Sequence, residues 1–487
     1  MINLCIQYTG TLECATITTK PMCTGTEMAM GGTMNKYSRL ILALEERIQE
    51  GEFSRGKKLP SIRNLAEMYE CNKSTVIRAY EEMEKRHLIY SIPQSGYYVV
   101  QRKSKNDDSL LQEDSKEALM DFASSAPDKH VFPYVDFQHC INKAIDAYQD
   151  DLFTYGTLKG LPSLIQVLQK HLAGYQVFAK RDQIVVTSGV QQALAILVSM
   201  PFPSGRDTIL IEQPGYFLLI EMLTTMKIPV IGIPRNEEGI DLEKLEGIFA
   251  SGKIKFFYTM PRFHNPLGTS LTMKQKQEIA RLAHKYDVYI VEDDYLADLE
   301  SDSKADPIYA YASSPHVIYL KSYSKILFPG LRVGVAVLPP LLIDTFSRFK
   351  VILDIDTSTL SQAALEIYMK SGMFERHRER IKASYYKKIE QLNEALTMNS
   401  DHELFAAAPQ NQCVHTVMPL PRKLPFETLR HALKKRNIIV DSTESYYLAG
   451  GYMEKTLRLN VSNVPHTSIA TGISIIREEI NRLNISR

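Results

Sequence analysis

Seven short apolar runs between residues 184 and 337 constrain the fold of this chain more than any other feature of its sequence. They lie at residues 184–187, 208–211, 230–233, 255–258, 288–291, 317–320 and 333–337. Longer stretches with helical periodicity separate the runs, and such alternation builds α/β domains around a mostly parallel sheet. From about residue 375 the order becomes helix, strand, helix, strand and helix, which predicts a smaller α+β lobe.

A different pattern occupies residues 34–103. Apolar residues recur at helical spacing in three stretches, of which the second can be capped by Ser61 and the third begins near Ser74. Residues 89–92 and 97–100 flank a Pro-Gln-Ser-Gly turn and predict a β-hairpin. Three helices followed by a β-wing indicate a winged helix-turn-helix, whose recognition helix enters the major groove of DNA.

The charge of residues 34–103 gives little support by itself for the prediction that this segment binds DNA. The whole chain has a net charge of +1, and residues 34–103 hold 13 Lys and Arg against 9 Asp and Glu, an excess of +4. Such an excess is as compatible with a solvated surface, or with a module that only pairs with another protein, as with a DNA footprint. The candidate DNA contacts at the helix starts and wing tip are Arg63, Lys73, Ser74, Thr75, Arg78, Gln94 and Ser95.

Composition sets the remaining boundaries. Residues 1–33 are rich in Thr, Met and Cys and are predicted to be a disordered extension, whereas residues 104–125 are polar and charge-mixed, which predicts a linker. Residues 126–487 then form the effector domain. None of the six cysteines forms a C-x-x-C pair, so no metal site is predicted and a reducing cytoplasm fits best. No apolar run reaches the ~18 residues that a membrane span needs.

The stretch KSYSKILFPGLRVG carries the most specific chemistry. Lys325 follows Ser322 and Ser324 and precedes Arg332 by seven residues. A lysine that forms an imine needs a depressed pKa, and a phosphate on its partner needs hydroxyls and an arginine around it. The stretch therefore predicts a lysine that bonds a phosphorylated aldehyde, although Ser-x-Ser-Lys alone is a weak signal.

Other candidate residues occur along the same domain, each with a structural alternative. A helix start at Val190 and Gln191 offers backbone amides to phosphate. Tyr216 follows a Pro-Gly turn and is either a plate for a flat ring or a core residue. The further candidates are Asn265 before a proline, Asp293 and Tyr295 at a strand end, and Arg458 within a late strand. Asn265 can instead start a turn, Asp293 can cap a helix, and Arg458 can form a structural ion pair.

Taken together, these motifs resemble a known family. The series SG-x-QQ, PGY, NP-x-G, D-x-Y, S-x-SK, PGLR-x-G and LRL is similar to that of the fold-type I aminotransferases, which use pyridoxal 5'-phosphate. The N-terminal LPSIRNLAE and STVIRAYEEMEKRHLI resemble the winged helix of GntR-family repressors, and TVIRAY is most similar to their MocR subgroup. The resemblance implies a three-layer αβα large lobe, a smaller α+β lobe and a homodimer.

The resemblance also implies a role for each candidate residue. Lys325 forms the Schiff base with the cofactor, and Asp293 pairs with the ring nitrogen. Tyr295 and Asn265 bind the ring oxygen, Tyr216 stacks on the ring, and Arg458 binds the carboxylate of a ligand. The phosphate receives the backbone of Val190 and Gln191, the side chains of Ser322 and Arg332, and, from the neighbouring subunit, Tyr155.

The implied function is that of a transcriptional regulator that binds double-stranded operator DNA and senses an amino compound or the cofactor itself. Leu218 stands where a regulator of this subgroup that senses a γ-amino acid has Arg, which disfavours γ-aminobutyrate as the effector. One alternative is a working aminotransferase with a DNA-binding appendage. Another is a DNA-binding protein whose C-terminal domain only dimerises and has lost its cofactor.

Overall fold

The computed structural model describes residues 36–50, 52–53, 57–86, 88–92, 95–100, 119–302, 305–313, 315–397, 413–450 and 453–485. The helices are α1 (Lys36–Gln49), α2 (Ile62–Met68), α3 (Lys73–Lys85), α4 (Tyr134–Tyr148), α5 (Pro162–Ala173), α6 (Val190–Ser199), α7 (Phe217–Thr225), α8 (Leu242–Ala250), α9 (Met273–Tyr286), α10 (Ile308–Tyr311), α11 (Pro340–Asp354), α12 (Thr359–Lys370), α13 (Met373–Thr397), α14 (Phe426–Lys435) and α15 (Ile469–Ile485). The strands are β1 (Ile89–Ile92), β2 (Gly96–Val99), β3 (Met120–Asp121), β4 (Ile184–Thr187), β5 (Thr208–Gln213), β6 (Val230–Asn236), β7 (Gly239–Ile240), β8 (Ile254–Thr259), β9 (Tyr289–Asp293), β10 (Val317–Ser322), β11 (Gly334–Val337), β12 (His415–Pro419), β13 (Ile438–Ile439), β14 (Asp441–Ser442) and β15 (Thr456–Asn460). In the parts of the chain that the structure describes, no helix is both long enough and apolar enough to cross a membrane.

The N-terminal module has the predicted winged helix-turn-helix form. Ser61 caps α2, because its Oγ accepts a hydrogen bond from the backbone N–H of Asn64 at 3.2 Å. Helices α1, α2 and α3 bury one apolar face each, and β1 pairs with β2 as an antiparallel hairpin. Val76 and Tyr80 of α3 are fully buried, so the opposite face of this helix is free to meet a partner.

The large lobe is a three-layer αβα structure around an eight-stranded sheet. All seven predicted runs are strands of this sheet, whose order is β4-β11-β10-β9-β8-β5-β6-β7. Its central strands are parallel, β11 is antiparallel to both neighbours, and β7 is antiparallel to β6. Helices α6, α7 and α11 cover one face, while α5, α8, α9 and α12 cover the other. The carboxyl ends of β8, β9 and β10 therefore meet at one edge, where ligands bind in such sheets.

The small lobe incorporates a segment that the sequence assigned to the linker. Strands β12, β15 and β14 form its antiparallel sheet. Beside it, β3 pairs in parallel with β13, and Phe122 is fully buried against Gly472 of α15. The prediction that the linker continues to residue 125 is therefore wrong, because strand pairing and burial tie residues 120–125 to the effector domain. The predicted linker residues 104–118 and the predicted extension at 1–33 lie outside the described residues.

The wing packs against the effector domain of the same chain. The rings of Tyr90 and Tyr98 lie 4.6 Å and 5.2 Å from the imidazole of His139 on α4, measured between ring centroids. The ammonium group of Lys143, one turn further along α4, lies 4.9 Å from the centre of the Tyr98 ring. Aromatic and cation–π contacts thus hold the winged module on α4.

A buried ion pair stabilises the large lobe near the end of β5. The guanidinium of Arg235 donates to Glu212 Oε1 at 2.6 Å, and both side chains are almost completely buried. The Glu212 carboxylate also accepts hydrogen bonds from Thr259 Oγ1 and from the backbone N–H of Met260. Burial alone would raise the pKa of Glu212, but Arg235 and His264 outweigh it and hold that pKa well below its usual range.

This arrangement predicts a large loss of stability when Arg235 is replaced. Arg235→Met should lower the free energy of unfolding by about 3–5 kcal/mol, because it leaves the Glu212 carboxylate buried without a cation. Arg281→Met, which removes a guanidinium paired with Glu278 at the surface, should cost less than about 1 kcal/mol. Urea denaturation followed by circular dichroism measures both variants, and equal losses would contradict the assignment.

Candidate functional site

A cavity of about 390 Å³ opens at the carboxyl ends of the parallel strands, between the large and small lobes. Segments from three parts of the chain line it: the stretch after the linker, the loops of the large lobe and strands β14 and β15. Ten of the predicted site residues meet there: Val190, Gln191, Tyr216, Asn265, Asp293, Tyr295, Ser322, Lys325, Arg332 and Arg458.

Asp293 lies at the end of β9 with one oxygen unsatisfied. Its Oδ2 accepts a hydrogen bond from the phenol of Tyr258 at 2.8 Å. Its Oδ1 is buried and has no hydrogen-bond partner among the described residues. Burial raises the pKa of Asp293 to about 7, and neighbouring Asp294 adds to this, whereas the Tyr258 bond and Lys325 act in the opposite direction. A buried carboxylate with a free oxygen is suited to a protonated nitrogen of a ligand.

The two carboxylates beside Asp293 have structural roles instead. Glu292 accepts hydrogen bonds from the backbone N–H groups of Ile308 and Tyr309 at 2.8 Å and 2.9 Å. Asp294 forms a buried ion pair with the guanidinium of Arg262. Of the three consecutive carboxylates Glu292, Asp293 and Asp294, only Asp293, which the resemblance singled out, lines the cavity among the described residues.

Lys325 lies in the loop after β10, next to Asp293 on the neighbouring strand. Its Nζ donates to the backbone carbonyl of Ser125 at 3.1 Å. Burial lowers the pKa of Lys325 to about 8, Arg458 lowers it further, and Asp293 opposes the shift. A larger share of this amine than of an ordinary lysine is thus neutral and nucleophilic near pH 7.

Lys321, four residues earlier, does not enter the cavity. It is fully buried, and its Nζ lies 2.5 Å from Asp298 Oδ2 and 4.4 Å from the centre of the Tyr175 ring. Its charge is satisfied within the core. The two lysines of the KSYSK stretch therefore have different roles, and only Lys325 is available to a ligand.

The N-terminus of α6 forms one wall of an anion-binding corner. Gly189 precedes Val190 and Gln191, the first residues of the helix, and its φ of +86° lies in the region that favours glycine. A Cβ on Gly189 would lie 2.7 Å from Arg332 Nη2, so only glycine lets the guanidinium approach. Arg332 donates to the carbonyl of Ser188 at 2.8 Å and remains exposed to the cavity. Backbone amides at a helix start beside a guanidinium suit a phosphate.

Two serines complete this corner. Ser322 Oγ accepts a hydrogen bond from the backbone N–H of Ser324 at 3.2 Å. The Oγ of Ser324 is buried and has no hydrogen-bond partner among the described residues. Ser324 flanks Lys325 in the sequence but was not assigned to the cofactor, and the structure places it in the cavity wall.

Tyr216, Tyr295 and Asn265, which are predicted to surround the ring of the cofactor, line the cavity and contact neighbouring protein groups there. Tyr216 begins α7 and contacts the ring of Phe217 edge to face. The hydroxyl of Tyr295 donates to the carbonyl of Phe263 at 2.9 Å. Asn265 Oδ1 accepts a hydrogen bond from Arg458 Nε at 3.1 Å. Their contacts to a bound ring therefore stay predictions.

Arg458 is a buried cation that lacks a carboxylate partner. Only 3% of it is exposed, and its guanidinium donates to the carbonyl of Ala123 at 2.8 Å and to Ser125 Oγ at 2.5 Å, besides Asn265. No acidic side chain within the described ranges pairs with it. The structural ion pair considered for Arg458 is thus absent there, and an anionic ligand can supply the missing charge.

The sequence did not predict several of the residues that line the cavity. Residues 123–125 were assigned to the linker, and their polar, small side chains give no sign of a site. Tyr258, Asp441 and Tyr446 also lie at the cavity or against its acid. Tyr258 belongs to an apolar strand, so only the position of that strand beside β9 could have revealed its bond to Asp293.

Tyr155 lies apart from this cavity and is 79% exposed. The neighbouring Phe153 is 91% exposed, and the backbone N–H of Gly156 donates to Asp356. A role at the phosphate of a partner subunit requires an exposed side chain. That role stays a prediction.

The candidate DNA contacts lie mainly on the free face of the winged module. Arg63, Lys73, Ser74 and Arg78 are exposed, and Thr75 is half-buried. The guanidinium of Arg78 lies 5.1 Å from the centre of the Tyr37 ring. Ser95 is half-buried, with its Oγ 2.6 Å from the hydroxyl of Tyr98. Gln94 lies outside the described residues, and all of these DNA roles stay predictions.

The cavity fits the cofactor that the resemblance implies. The free oxygen of Asp293 suits a protonated ring nitrogen, and the depressed pKa of Lys325 suits an aldehyde. The corner formed by the start of α6, Ser324 and Arg332 suits a phosphate. Each of the three polar ends of pyridoxal phosphate thus has a complementary group.

The chain is similar to two protein families and to several known proteins. The profile of the aminotransferase class I and II family matches residues 117–476, and that of the gntR family of bacterial regulatory proteins matches residues 36–99. YcxD of Bacillus subtilis strain 168, an uncharacterised HTH-type transcriptional regulator, is 52% identical over 451 residues, which cover 92% of this chain and 100% of YcxD. Aromatic-amino-acid aminotransferase 1 of Thermococcus litoralis is 27% identical over 74% of this chain and 88% of that enzyme. The crystal structure of Pyrococcus horikoshii kynurenine aminotransferase matches with a TM-score of 0.68 at 27% identity, over 78% of this chain and 95% of that one.

The environment of Lys325 predicts the pH dependence of cofactor capture. The rate at which the cofactor-free protein captures pyridoxal phosphate should rise with pH around a midpoint near 8, because only the neutral amine attacks an aldehyde. Stopped-flow absorbance in the visible region measures this rate. Nα-acetyl-lysine, with a pKa of about 10.4, is the control, and a protein midpoint as high as that of the control would contradict the assignment.

Proposed function

Because this chain belongs to the aminotransferase class I and II family and carries a gntR-type winged module, we propose that it is a transcriptional regulator that senses an amino compound. Its cofactor is pyridoxal 5'-phosphate. One observation carries the proposal: a gntR-type module and an aminotransferase-like domain with a cavity that fits the cofactor occur in a single chain. A winged helix has no role in metabolite turnover alone.

Each part of the cofactor is assigned to a different group of pocket residues. Lys325 holds the aldehyde carbon, Asp293 holds the ring nitrogen in its protonated form, and the start of α6 holds the phosphate together with Ser322, Ser324 and Arg332. Bound in this way, the cofactor supplies an electrophilic carbon that reacts reversibly with primary amines. Tyr216, which lines the same cavity, would stack on the ring of the cofactor.

A ligand amine competes with Lys325, and its carboxylate binds Arg458. The buried guanidinium of Arg458, which pairs with no acid among the described residues, supports this role. Selection at two points, the amine and the carboxylate, favours amino acids over simple amines. If the protein instead responds to the arrival of the cofactor itself, the response would begin at Lys325 in the same pocket.

The route from this pocket to DNA runs through residues 123–125. The carbonyl of Ser125 accepts from Lys325, its Oγ accepts from Arg458 and Asn460, and the carbonyl of Ala123 accepts from Arg458. Three of these four bonds have Lys325 or Arg458 as their donor and would change when either residue takes a new partner. Residues 123–125 are the last residues of the segment predicted as the linker, so their displacement would re-aim the winged modules. We expect these modules to act as a pair on operator DNA in a homodimer within the cytoplasm.

A working aminotransferase is the second candidate. The observation that favours it is the pocket itself, where Lys325, Asp293 and Arg458 are all in place. Steady turnover of an amino donor with a keto acceptor, together with failure to bind the DNA upstream of its own gene, would favour the enzyme over the regulator.

The proposal predicts that DNA binding and cofactor binding can be separated by mutation. Arg78→Ala should weaken binding to the DNA upstream of the gene and lower the slope of log affinity against log salt by about 1, because a phosphate contact is lost. Its visible absorbance should not change. Lys325→Ala should abolish that absorbance and any ligand response.

Fluorescence anisotropy and absorbance spectra measure these two properties. Arg281→Ala, which removes a surface charge from the large lobe, is the control and should leave both properties unchanged. Loss of DNA binding in the control, or retention of full affinity and slope in Arg78→Ala, would contradict the assignment of α3.

The route through residues 123–125 predicts a specific effect of Ser125→Ala. This change removes the hydroxyl that contacts Arg458 and Asn460, so the difference in DNA affinity between cofactor-free and cofactor-loaded protein should shrink. Ser124→Ala is the matched control, because the Oγ of Ser124 makes no hydrogen bond within the described ranges. Identical behaviour of the two variants would count against this route.

A further inference from the structure

Among the residues that the structure describes, Asp293 and Asp441 are the acidic side chains that line the cavity. Asp441 lies on β14 directly opposite Arg458 of β15 in the antiparallel register. Cβ atoms of such opposite residues are about 5 Å apart, so Asp441 lies beside the group assigned to the ligand carboxylate. A side chain that extends from a ligand held by Arg458 thus passes close to Asp441.

The Asp441 carboxylate has no cation of its own. Its Oδ1 accepts only the backbone N–H of Ser442 at 2.9 Å. Within the described ranges no lysine, arginine or histidine forms an ion pair with it, and Arg458 directs its guanidinium at neutral oxygens instead. Burial raises the pKa of Asp441, while Arg458 and the more distant Arg430 act against that shift.

Asp441 differs from the other charged residues of the pocket in its charge balance once the cofactor and an amino acid are bound. Five charged side chains line the cavity: Asp293, Lys325, Arg332, Asp441 and Arg458. The cofactor satisfies Asp293, Lys325 and Arg332, and the carboxylate of an amino acid satisfies Arg458. Among these five, Asp441 alone is then left as a half-buried anion without a counter-ion, which is unfavourable where a ligand displaces water from around it.

We propose that Asp441 is a specificity-determining residue that selects amino acids whose side chain carries a second positive charge. This inference rests on the proposed sensing function. A diamino acid with its carboxylate on Arg458 places its second ammonium group on Asp441. A neutral side chain leaves Asp441 unpaired, and an acidic side chain adds a like charge beside it. The uncharged Leu218 and Phe217, which also line the cavity, offer no cation to such an acidic group.

Titration of the cofactor-loaded full-length protein tests this selection. The ligands are ornithine and norleucine, which match in chain length but differ in the terminal ammonium group, together with glutamine and glutamate. Calorimetry and the shift of the visible absorption band each give a Kd. Ornithine should bind at least about tenfold more tightly than norleucine, because a hydrogen bond between charged groups is gained. Glutamate should bind most weakly.

Two variants separate the charge of Asp441 from a general effect of acidic groups near the pocket. In Asp441→Asn the ratio of the norleucine Kd to the ornithine Kd should fall to within about threefold of unity. Glu444→Gln removes the same charge three residues away, on an exposed side chain, and should keep the ratio of the unaltered protein. The comparison of ornithine with norleucine in the unaltered protein holds even if a variant fails to fold.

The possible failures are distinguishable. Equal Kd values for ornithine and norleucine, or for ornithine and glutamine, or tighter binding of glutamate, would overturn the role of Asp441 while leaving amine sensing intact. Absence of binding by any of the four ligands would overturn both the role of Asp441 and the sensing of amino acids.

Discussion

The chemistry of the cavity depends on two opposite charges, one at the end of β9 and the other in the loop after the adjacent strand β10. Parallel pairing of β9 with β10 sets Leu320 opposite Asp293, and Lys325 follows in the loop. Burial disfavours the charged form of both groups, so it raises the pKa of Asp293 to about 7 and lowers that of Lys325 to about 8. Their mutual attraction opposes both shifts without cancelling them. Both groups are thereby prepared for a ligand that brings its own cationic nitrogen and its own aldehyde.

Arg458 connects the cavity to other parts of the molecule through hydrogen bonds. Its guanidinium nitrogens join the small lobe to Asn265 of the large lobe and to Ala123 and Ser125, at the end of the segment predicted as the linker. A ligand carboxylate that competes for this guanidinium acts on all three parts at once. On the opposite side, the wing contacts α4 through Tyr90, Tyr98 and His139. The winged module is therefore connected to the effector domain both by its own packing and through the chain that enters the pocket.

The sequence predicted most of this architecture for identifiable physical reasons. The apolar runs have the length typical of buried strands and predicted all seven long strands of the sheet. Nine of the ten site residues that meet in the cavity lie at the ends of those strands, in the loops after them or at the starts of the next helices, whereas Arg458 comes from β15 of the small lobe. What it could not predict depends on tertiary contacts. Residues 120–125 are polar or small except for Met120 and Phe122, so only the pairing of Met120 and Asp121 with β13 reveals that this segment belongs to the effector domain. The division of labour among Glu292, Asp293 and Asp294, and the burial of Lys321 against Asp298, likewise depend on which neighbours the fold supplies.

The most direct test of the account is the covalent position of the cofactor. Protein saturated with pyridoxal phosphate is reduced with borohydride, digested, and mapped by mass spectrometry, with Lys325→Ala treated in parallel. The account predicts a reduced pyridoxyl group on the peptide that contains Lys325 and none in the variant. A pyridoxyl group on Lys321 or any other lysine of the unaltered protein, or its absence from saturated protein, would contradict the central claim.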